Sequence, residues 1–238
     1  MTYDYSDIPI GHYDRIYARQ AGVRSKWHHM KFARFAEAMR GYCRHLDLGC
    51  GPGTFIGTLP EGRHDSVGLD IAREQLDYAR RTYPGAGRRF LPIQGDSIPF
   101  EDDSFDVVTM IELIEHLTPE TGLALLREAR RVLRPGGRLL VSTPNYRSAW
   151  PVIEKIVNAV GDVDYTDKHI TFYHRRRLAD LMDRAGFRDA AVSGYLLAAP
   201  FVAAFSWSVA DAVARLEPEA VCDRLGLLLF AMGMKHVG

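Results

Sequence analysis

Apolar and polar positions along this chain of 238 residues fall into short apolar runs separated by amphipathic stretches of helical period. The runs are Tyr42 to Leu48, DSVGLDI, RRFLPIQGD, FDVVTMI and RLLVSTPN, with GLLLFAMGM near the C-terminal end. Between them, AREQLDYARRTY and TPETGLALLREARRVLRPGG repeat apolar residues every three or four positions. This alternation predicts parallel strands joined by crossover helices, an α/β doubly wound sheet. The helix after FDVVTMI is the best delimited: Thr118 is its N-cap, Pro119 opens it, Glu120 lies in its first turn, and Pro135, Gly136 and Gly137 close it. Its stripe of Leu123, Leu126, Ala129, Arg130 and Leu133 is expected to cover one face of the sheet.

Two segments interrupt the alternation. Residues 146–168 add a helix (AWPVIEKIVNAVG) leading into a polar loop (DVDYTDKH), and residues 200–226 add another helix. In the latter, Phe201, Phe205, Val209, Val213 and Leu216 form a stripe that is either ordinary core or a substrate cap. Residues 1–41, with Tyr13, Tyr17 and Trp27, read as a helical lid, so one domain over 1–238 with a lid and two helical cap insertions is expected. The most apolar segment, YLLAAPFVAAFSWSVADAVARL, is interrupted by Pro200 and ended by Asp211 and Arg215, short of the roughly 20 residues that span a bilayer.

Composition narrows the partners. With 47% hydrophobic and 25% charged residues the chain can bury a full core. Thirty basic residues balance thirty acidic ones, which gives no field for nucleic acid. The excess of arginine over lysine reads as a compositional bias. Cys43, Cys50 and Cys222 match neither a disulfide framework nor a CxxC metal site, and MTYDYSDIPIGHYDRIYARQ lacks the apolar core of a signal peptide, so a cytoplasmic setting is expected.

The chemistry concentrates in HLDLGCGPGTF, His45 to Phe55, where Gly49, Gly51 and Gly53 alternate directly after the first strand. Ligands of open α/β sheets bind beyond the carboxyl ends of the strands, near this strand. The GxGxG spacing departs from the GxGxxG/A dinucleotide fingerprint. Asp47 beside the turn would repel a diphosphate and suits a ligand with positive charge. Asp70 ends the second strand, placed to accept hydrogen bonds from both hydroxyls of a ribose, and Asp96 ends the third, placed for an exocyclic purine amine with Ser97 beside it.

DLGCGPG, the GLD strand end, GDSIPF followed by DDSFDVV, IELIEHL and LRPGGRLLVSTPN together resemble the successive motifs of class I S-adenosylmethionine-dependent methyltransferases, most closely the small-molecule branch that includes ubiquinone and menaquinone biosynthetic enzymes. The resemblance runs over residues 42–145, with a fainter echo in HITFYHRRRLADLMDRAGF. It implies S-adenosylmethionine as cofactor and a Rossmann-like methyltransferase fold, a seven-stranded, mostly parallel sheet whose last, antiparallel strand would be GLLLFAMGM. Position by position it implies that Gly49, Gly51 and Gly53 approach the methionine moiety near Asp47, that Asp70 and Ile71 meet the ribose, that Asp96 and Ser97 meet the adenine, and that Ile111 and Glu112 border the sulfonium.

A hydroxyl acceptor must lose its proton, and histidine is the commonest base for that step. His116, just past the fourth strand, and His169, in the insertion near Tyr165, are the two candidates. His28 and His29 stand about 100° apart on a helix, so at most one can face a pocket. No ligand spacing for a metal accompanies any histidine, and the run Glu101, Asp102, Asp103 reads as a solvated turn. The prolines and aromatic typical of amino-group methylation on nucleic acids or proteins are absent after strand four, where IELI stands. The expectation is therefore methyl transfer to a hydroxyl of a small-molecule acceptor with apolar surface. Carbon or nitrogen methylation, or a non-catalytic protein that binds S-adenosylmethionine, are the alternatives. Arg175, Arg176 and Arg177 read either as contacts to an acidic group on the acceptor or as a solvated helix face.

Overall fold

The computed structural model describes residues 8–95, 97–160 and 168–236. Two helices, α1 (His12–Ala18) and α2 (Gly22–Ala38), precede the sheet. Then follow β1 (Arg44–Leu48), α3 (Thr54–Thr58), β2 (Asp65–Asp70), α4 (Arg73–Thr82), β3 (Arg88–Pro92), β4 (Phe105–Ile111), α5 (Pro119–Val132) and β5 (Leu133–Pro144). The remainder is α6 (Trp150–Val160), α7 (Arg175–Arg184), β6 (Ala191–Tyr195), α8 (Ala199–Val202), α9 (Trp207–Leu216), α10 (Glu219–Leu225) and β7 (Leu228–Met234). The seven strands lie in the order β3-β2-β1-β4-β5-β7-β6, all parallel except β7, which runs antiparallel to both β5 and β6. The expected mixed sheet and its antiparallel closing strand are therefore present.

The strands bury both faces, as crossover connections require. On one face Leu46, Leu48, Val108, Met110, Leu139 and Val141 pack with Leu126 and Ala129 of α5 and Leu178 and Met182 of α7. On the other, Val107 and Leu140 pack with Phe32 and Phe35 of α2, with Met39 at its C-cap and with Phe55 of α3. The register sets Asp47 opposite Gly68 on β2 and Thr109 on β4, so the central strand delivers its polar residues to the α2 side.

Several details differ from the sequence expectations. Thr118 caps α5 as read, its Oγ1 accepting from the Thr121 N–H, but the helix ends at Val132. Leu133, Pro135, Gly136 and Gly137 belong to β5, where a register shift against β4 accommodates them. β6 carries no strong apolar run and was not read from the sequence. The single helix expected over 200–226 is three short ones, broken where Ser206 caps α9 and Pro218 caps α10. The core alternative for its stripe is overturned, because Phe205 is 94% and Leu216 79% exposed. The polar loop after α6, with Tyr165, lies mostly outside the described residues. No helix among those described is long and apolar enough to cross a membrane.

Candidate active site

The carboxyl ends of β1 and β4 open into a cavity of about 250 Å³. Its floor is the glycine turn with Asp47, its walls are Ile111, Glu112, Glu115 and His116 past β4, and its roof is formed by α1, α2 and α6 together with His169 and Phe201. Of the paired histidines His28 lines the cavity, while His29 stacks on Tyr17 at a ring distance of 3.8 Å. Tyr13, Trp27, Trp150 and Phe55 give the enclosure an aromatic character.

Each turn glycine has positive φ, yet their neighbours differ. A Cβ built on Gly53 would meet the Phe90 ring at 2.6 Å, so that residue is glycine for packing. A Cβ on Gly51 would meet nothing within 4 Å. Gly51 therefore presents bare backbone to open space, the arrangement a closely approaching ligand requires. Asp70 accepts from the Gly51 N–H at 2.7 Å and from the Ala72 N–H at 2.8 Å, and so braces the turn from behind. Asp47, Gly49, Gly51, Ile111, Glu112, His116 and His169 all line the cavity. Gly53, Asp70, Ile71 and Ser97 stand outside its lining, and Asp96 falls outside the described residues.

The two histidines proposed from sequence meet. Ile170 and Thr171 donate backbone N–H bonds to the Glu115 carbonyl at 2.8 and 3.0 Å, which draws the 168–171 segment over the short turn Ile114–His116. The imidazole centroids of His116 and His169 are 5.0 Å apart. His116 donates its Nδ1–H to the Lys168 carbonyl at 2.7 Å, and burial lowers its pKa to about 4, with the neighbouring His169 adding to the effect. His169 donates Nδ1–H to Glu154 of α6, and the Tyr146 hydroxyl donates to the same carboxylate at 3.0 Å. Burial alone would lower the His169 pKa, but the bond to Glu154 and the charge of Glu115 outweigh it and raise it.

Sequence reasoning missed several contributors. Glu115 is almost fully buried, neither of its carboxylate oxygens has a hydrogen-bond partner among the described residues, and burial raises its pKa to about 7. One of its oxygens lies with one nitrogen each of His116 and His169 in a group whose three atoms are all within 4.8 Å of one another. The linear spacing hides that group, because His169 arrives from a distant insertion. Glu154 and Lys31 were likewise passed over; Lys31 pairs with Glu112 across the cavity edge. Beneath Asp47 runs a buried polar row: Asp47 bonds Thr109 at 2.6 Å, Thr109 bonds His45 Nε2 at 2.8 Å, and His45 Nδ1 bonds Ser66 at 3.0 Å. The arginines of α7 turn outward, Arg175 to Asp223 and Arg177 to the Phe172 carbonyl, which favours the solvated-face reading.

Residues 46–141 match the family model for a methyltransferase domain. An uncharacterised 37.1 kDa protein in a transposon of Streptomyces fradiae is 36% identical over 149 residues, covering 59% of this chain and 38% of that protein. A ubiquinone biosynthesis O-methyltransferase of Aliivibrio fischeri is 28% identical over 156 residues, covering 63% of this chain and 65% of the relative. The chain thus spans between about a third and two thirds of the length of these relatives. Among solved structures, a protein of Thermotoga maritima described as an S-adenosylmethionine-dependent methyltransferase and possible histamine N-methyltransferase superposes with a TM-score of 0.67 over 96% of this chain and 97% of the other, at 19% identity.

Proposed function

We propose that this chain, whose residues 46–141 match the family model for a methyltransferase domain, uses S-adenosylmethionine to methylate a hydroxyl of a largely apolar small molecule held in the cavity. The residues fit this cofactor: Gly51 leaves open space at the backbone, and Asp47 offers a buried carboxylate to a ligand that carries positive charge. When bound, S-adenosylmethionine supplies a methyl carbon on a sulfonium, open to in-line attack. Gly49, Gly51 and Asp47 would hold its methionine part. Asp70, just outside the cavity lining, would offer the lone pairs its backbone bonds leave over to the ribose hydroxyls, with Ile71 alongside, and Ser97 would border the adenine. Ile111 and Glu112 would flank the reacting atoms.

The observation that carries hydroxyl methylation is the Glu154–His169 pair. Glu154 accepts from His169 Nδ1–H, which orients the imidazole as a base, and the same carboxylate stabilises the imidazolium that forms when the ring takes a second proton. For His116, burial and its imidazole neighbour disfavour the cation. The sequence puts His116 first as the base and His169 second; the geometry favours His169, with His116 beside the acceptor. The aromatic walls exclude water and hold an apolar acceptor against the reacting centre, so that orientation supplies much of the rate.

The test is transfer of labelled methyl from S-adenosylmethionine to a panel of hydroxylated aromatic and isoprenoid compounds. The label should appear as a methyl ether, and His169→Ala should lower turnover by about 10² to 10⁴ with cofactor affinity retained. Label on nitrogen or carbon, or undiminished turnover in His169→Ala, overturns the assignment.

A further inference from the structure

The row Ser66, His45, Thr109, Asp47 has a single hydrogen-bond direction when Asp47 is ionised. A carboxylate only accepts, so the Thr109 hydroxyl gives Asp47 its one proton; Thr109 Oγ1 then accepts from His45 Nε2–H, and His45 Nδ1 accepts from the Ser66 hydroxyl. His45 can keep this part because burial lowers its pKa to about 3, so it stays neutral. Every donor in the row thus points toward the carboxylate. The register makes the row: His45 and Asp47 are alternate residues of β1, Ser66 is paired with His45 on β2, and Thr109 is paired with Asp47 on β4. All four side chains are buried at the centre of the sheet, where β1 itself otherwise contributes the aliphatic Leu46 and Leu48. Such positions cost desolvation unless the polar groups are joined, and a joined row in a low-dielectric interior orients its end strongly. That end is Asp47, on the cavity floor.

We propose that His45 and Thr109 are positioning residues that hold Asp47 as an oriented carboxylate for the positively charged part of the ligand, the sulfonium or the ammonium of S-adenosylmethionine. This rests on the reading that the cavity takes that cofactor. The surroundings of Asp47 are otherwise unfavourable to its charge: burial raises its pKa to about 7, the Thr109 bond opposes that, and Asp70 adds to it. Cys50 beside it is held neutral, its thiol pushed well up by burial. Across the cavity Lys31 is committed to Glu112. An arriving cation therefore completes the carboxylate's environment and expels whatever proton it holds.

The experiment is calorimetric binding of S-adenosylmethionine, and separately of S-adenosylhomocysteine, to the full chain between about pH 6 and pH 8.5, in buffers of different ionisation enthalpy so that released protons are counted. The native protein should release a fraction of a proton near pH 7, fading at higher pH. Release with both ligands assigns the ammonium, and release with S-adenosylmethionine alone assigns the sulfonium. Asp47→Asn should abolish the release. Thr109→Val should weaken binding about tenfold near pH 7, recover to within about twofold at pH 8.5, and move the release to higher pH, whereas Thr109→Ser should match the native profile. Thr109→Ala replaces the valine variant if the latter does not fold. A native protein that binds without proton release, or a Thr109→Val variant that melts lower yet keeps the native pH midpoint, makes the row structural only and overturns the proposal. If neither ligand binds, the cofactor reading is what fails. The row is then judged by infrared titration of the Asp47 carboxyl in the free protein, which must show a midpoint that rises in Thr109→Val.

Discussion

Lys31 of α2 and Glu112, immediately past β4, form an ion pair that ties the N-terminal helices to the strand end beside the cavity. The lysine side chain is 3% exposed and the glutamate 24%. Glu112 holds this position with φ at 51°, a left-handed conformation that a non-glycine residue adopts only when its surroundings impose it. Removing one partner leaves the other charge buried, which costs more than the pair contributes. Lys31→Met should destabilise the fold by about 1 to 3 kcal/mol in denaturant titrations, and Lys31→Met combined with Glu112→Gln should cost less than the two changes added separately. Additive effects would show that the pair carries no coupling.

The glycines of the turn separate binding from folding. Gly51→Ala forces a side chain into left-handed backbone, at about 1 kcal/mol, and points it into open space. It should leave the melting temperature nearly native and abolish detectable cofactor binding. Gly53→Ala drives a methyl into Phe90 and Ala79, and should lower the melting temperature strongly through overpacking. The reverse pattern would remove Gly51 from the ligand face.

His45 imposes a pH dependence on stability with a definite sign. Its pKa is about 3 in the folded protein and near 6.5 when the chain is unfolded. Below about pH 6.5 the unfolded chain gains a proton that the folded one refuses, so stability present above that value is lost as pH falls toward 3, at up to about 1.4 kcal/mol per pH unit. Asp47 and Glu115, both raised to about 7 by burial, act in the opposite sense and lose stability as pH climbs from their ordinary range toward 7. His45→Asn should flatten the acid arm of a stability-pH curve by one proton's slope. An unchanged slope would show that His45 does not titrate this way.

Local chemistry made much of this molecule legible. The glycine turn, strands β1 to β5 and β7 announce themselves through period and composition, and Thr118 with Pro119 marks α5 as written. β6, the stretch AVSGY, is short and interrupted by glycine, and nothing in its own pattern separates it from a loop. Spacing also cannot say which way a stripe faces: Phe205, Val209 and Leu216 repeat as a buried stripe would, yet face outward. The site was legible only where one strand end supplies it. Glu115, Glu154 and His169 converge from three separate segments, and Lys31 and Thr109 look like an ordinary helix charge and an ordinary β-branched strand residue until the tertiary fold gives each its partner.

The broken helices after Pro200 allow a direct comparison of two phenylalanines. Phe201 lines the cavity, whereas Phe205 projects into solvent at 94% exposure. Phe205→Ser should change stability by no more than about 0.5 kcal/mol and leave the acceptor's KM alone. Phe201→Ser should raise that KM several-fold with cofactor affinity retained if the acceptor occupies the cavity, because Phe201 would then give it apolar contact. A KM that responds to Phe205 instead would place the acceptor over the outer face of these helices.

The pH profile of turnover distinguishes the two histidines without removing either. A general base works only when unprotonated, so the rate rises with pH through the pKa of the group responsible. If His169 is the base, its interaction with Glu154 places the midpoint above the ordinary histidine value of about 6.5. Glu154→Gln removes the charge that stabilises the imidazolium, which should move the midpoint to lower pH and also lower the plateau rate, since the proton is then taken by a weaker and less firmly oriented base. If His116 is the base, the midpoint lies near its lowered value of about 4 and turnover is flat across neutral pH. A profile that rises only above pH 6.5 in the native protein and shifts downward in Glu154→Gln assigns the proton to His169; a flat profile in both returns it to His116 or to an acceptor that needs no base.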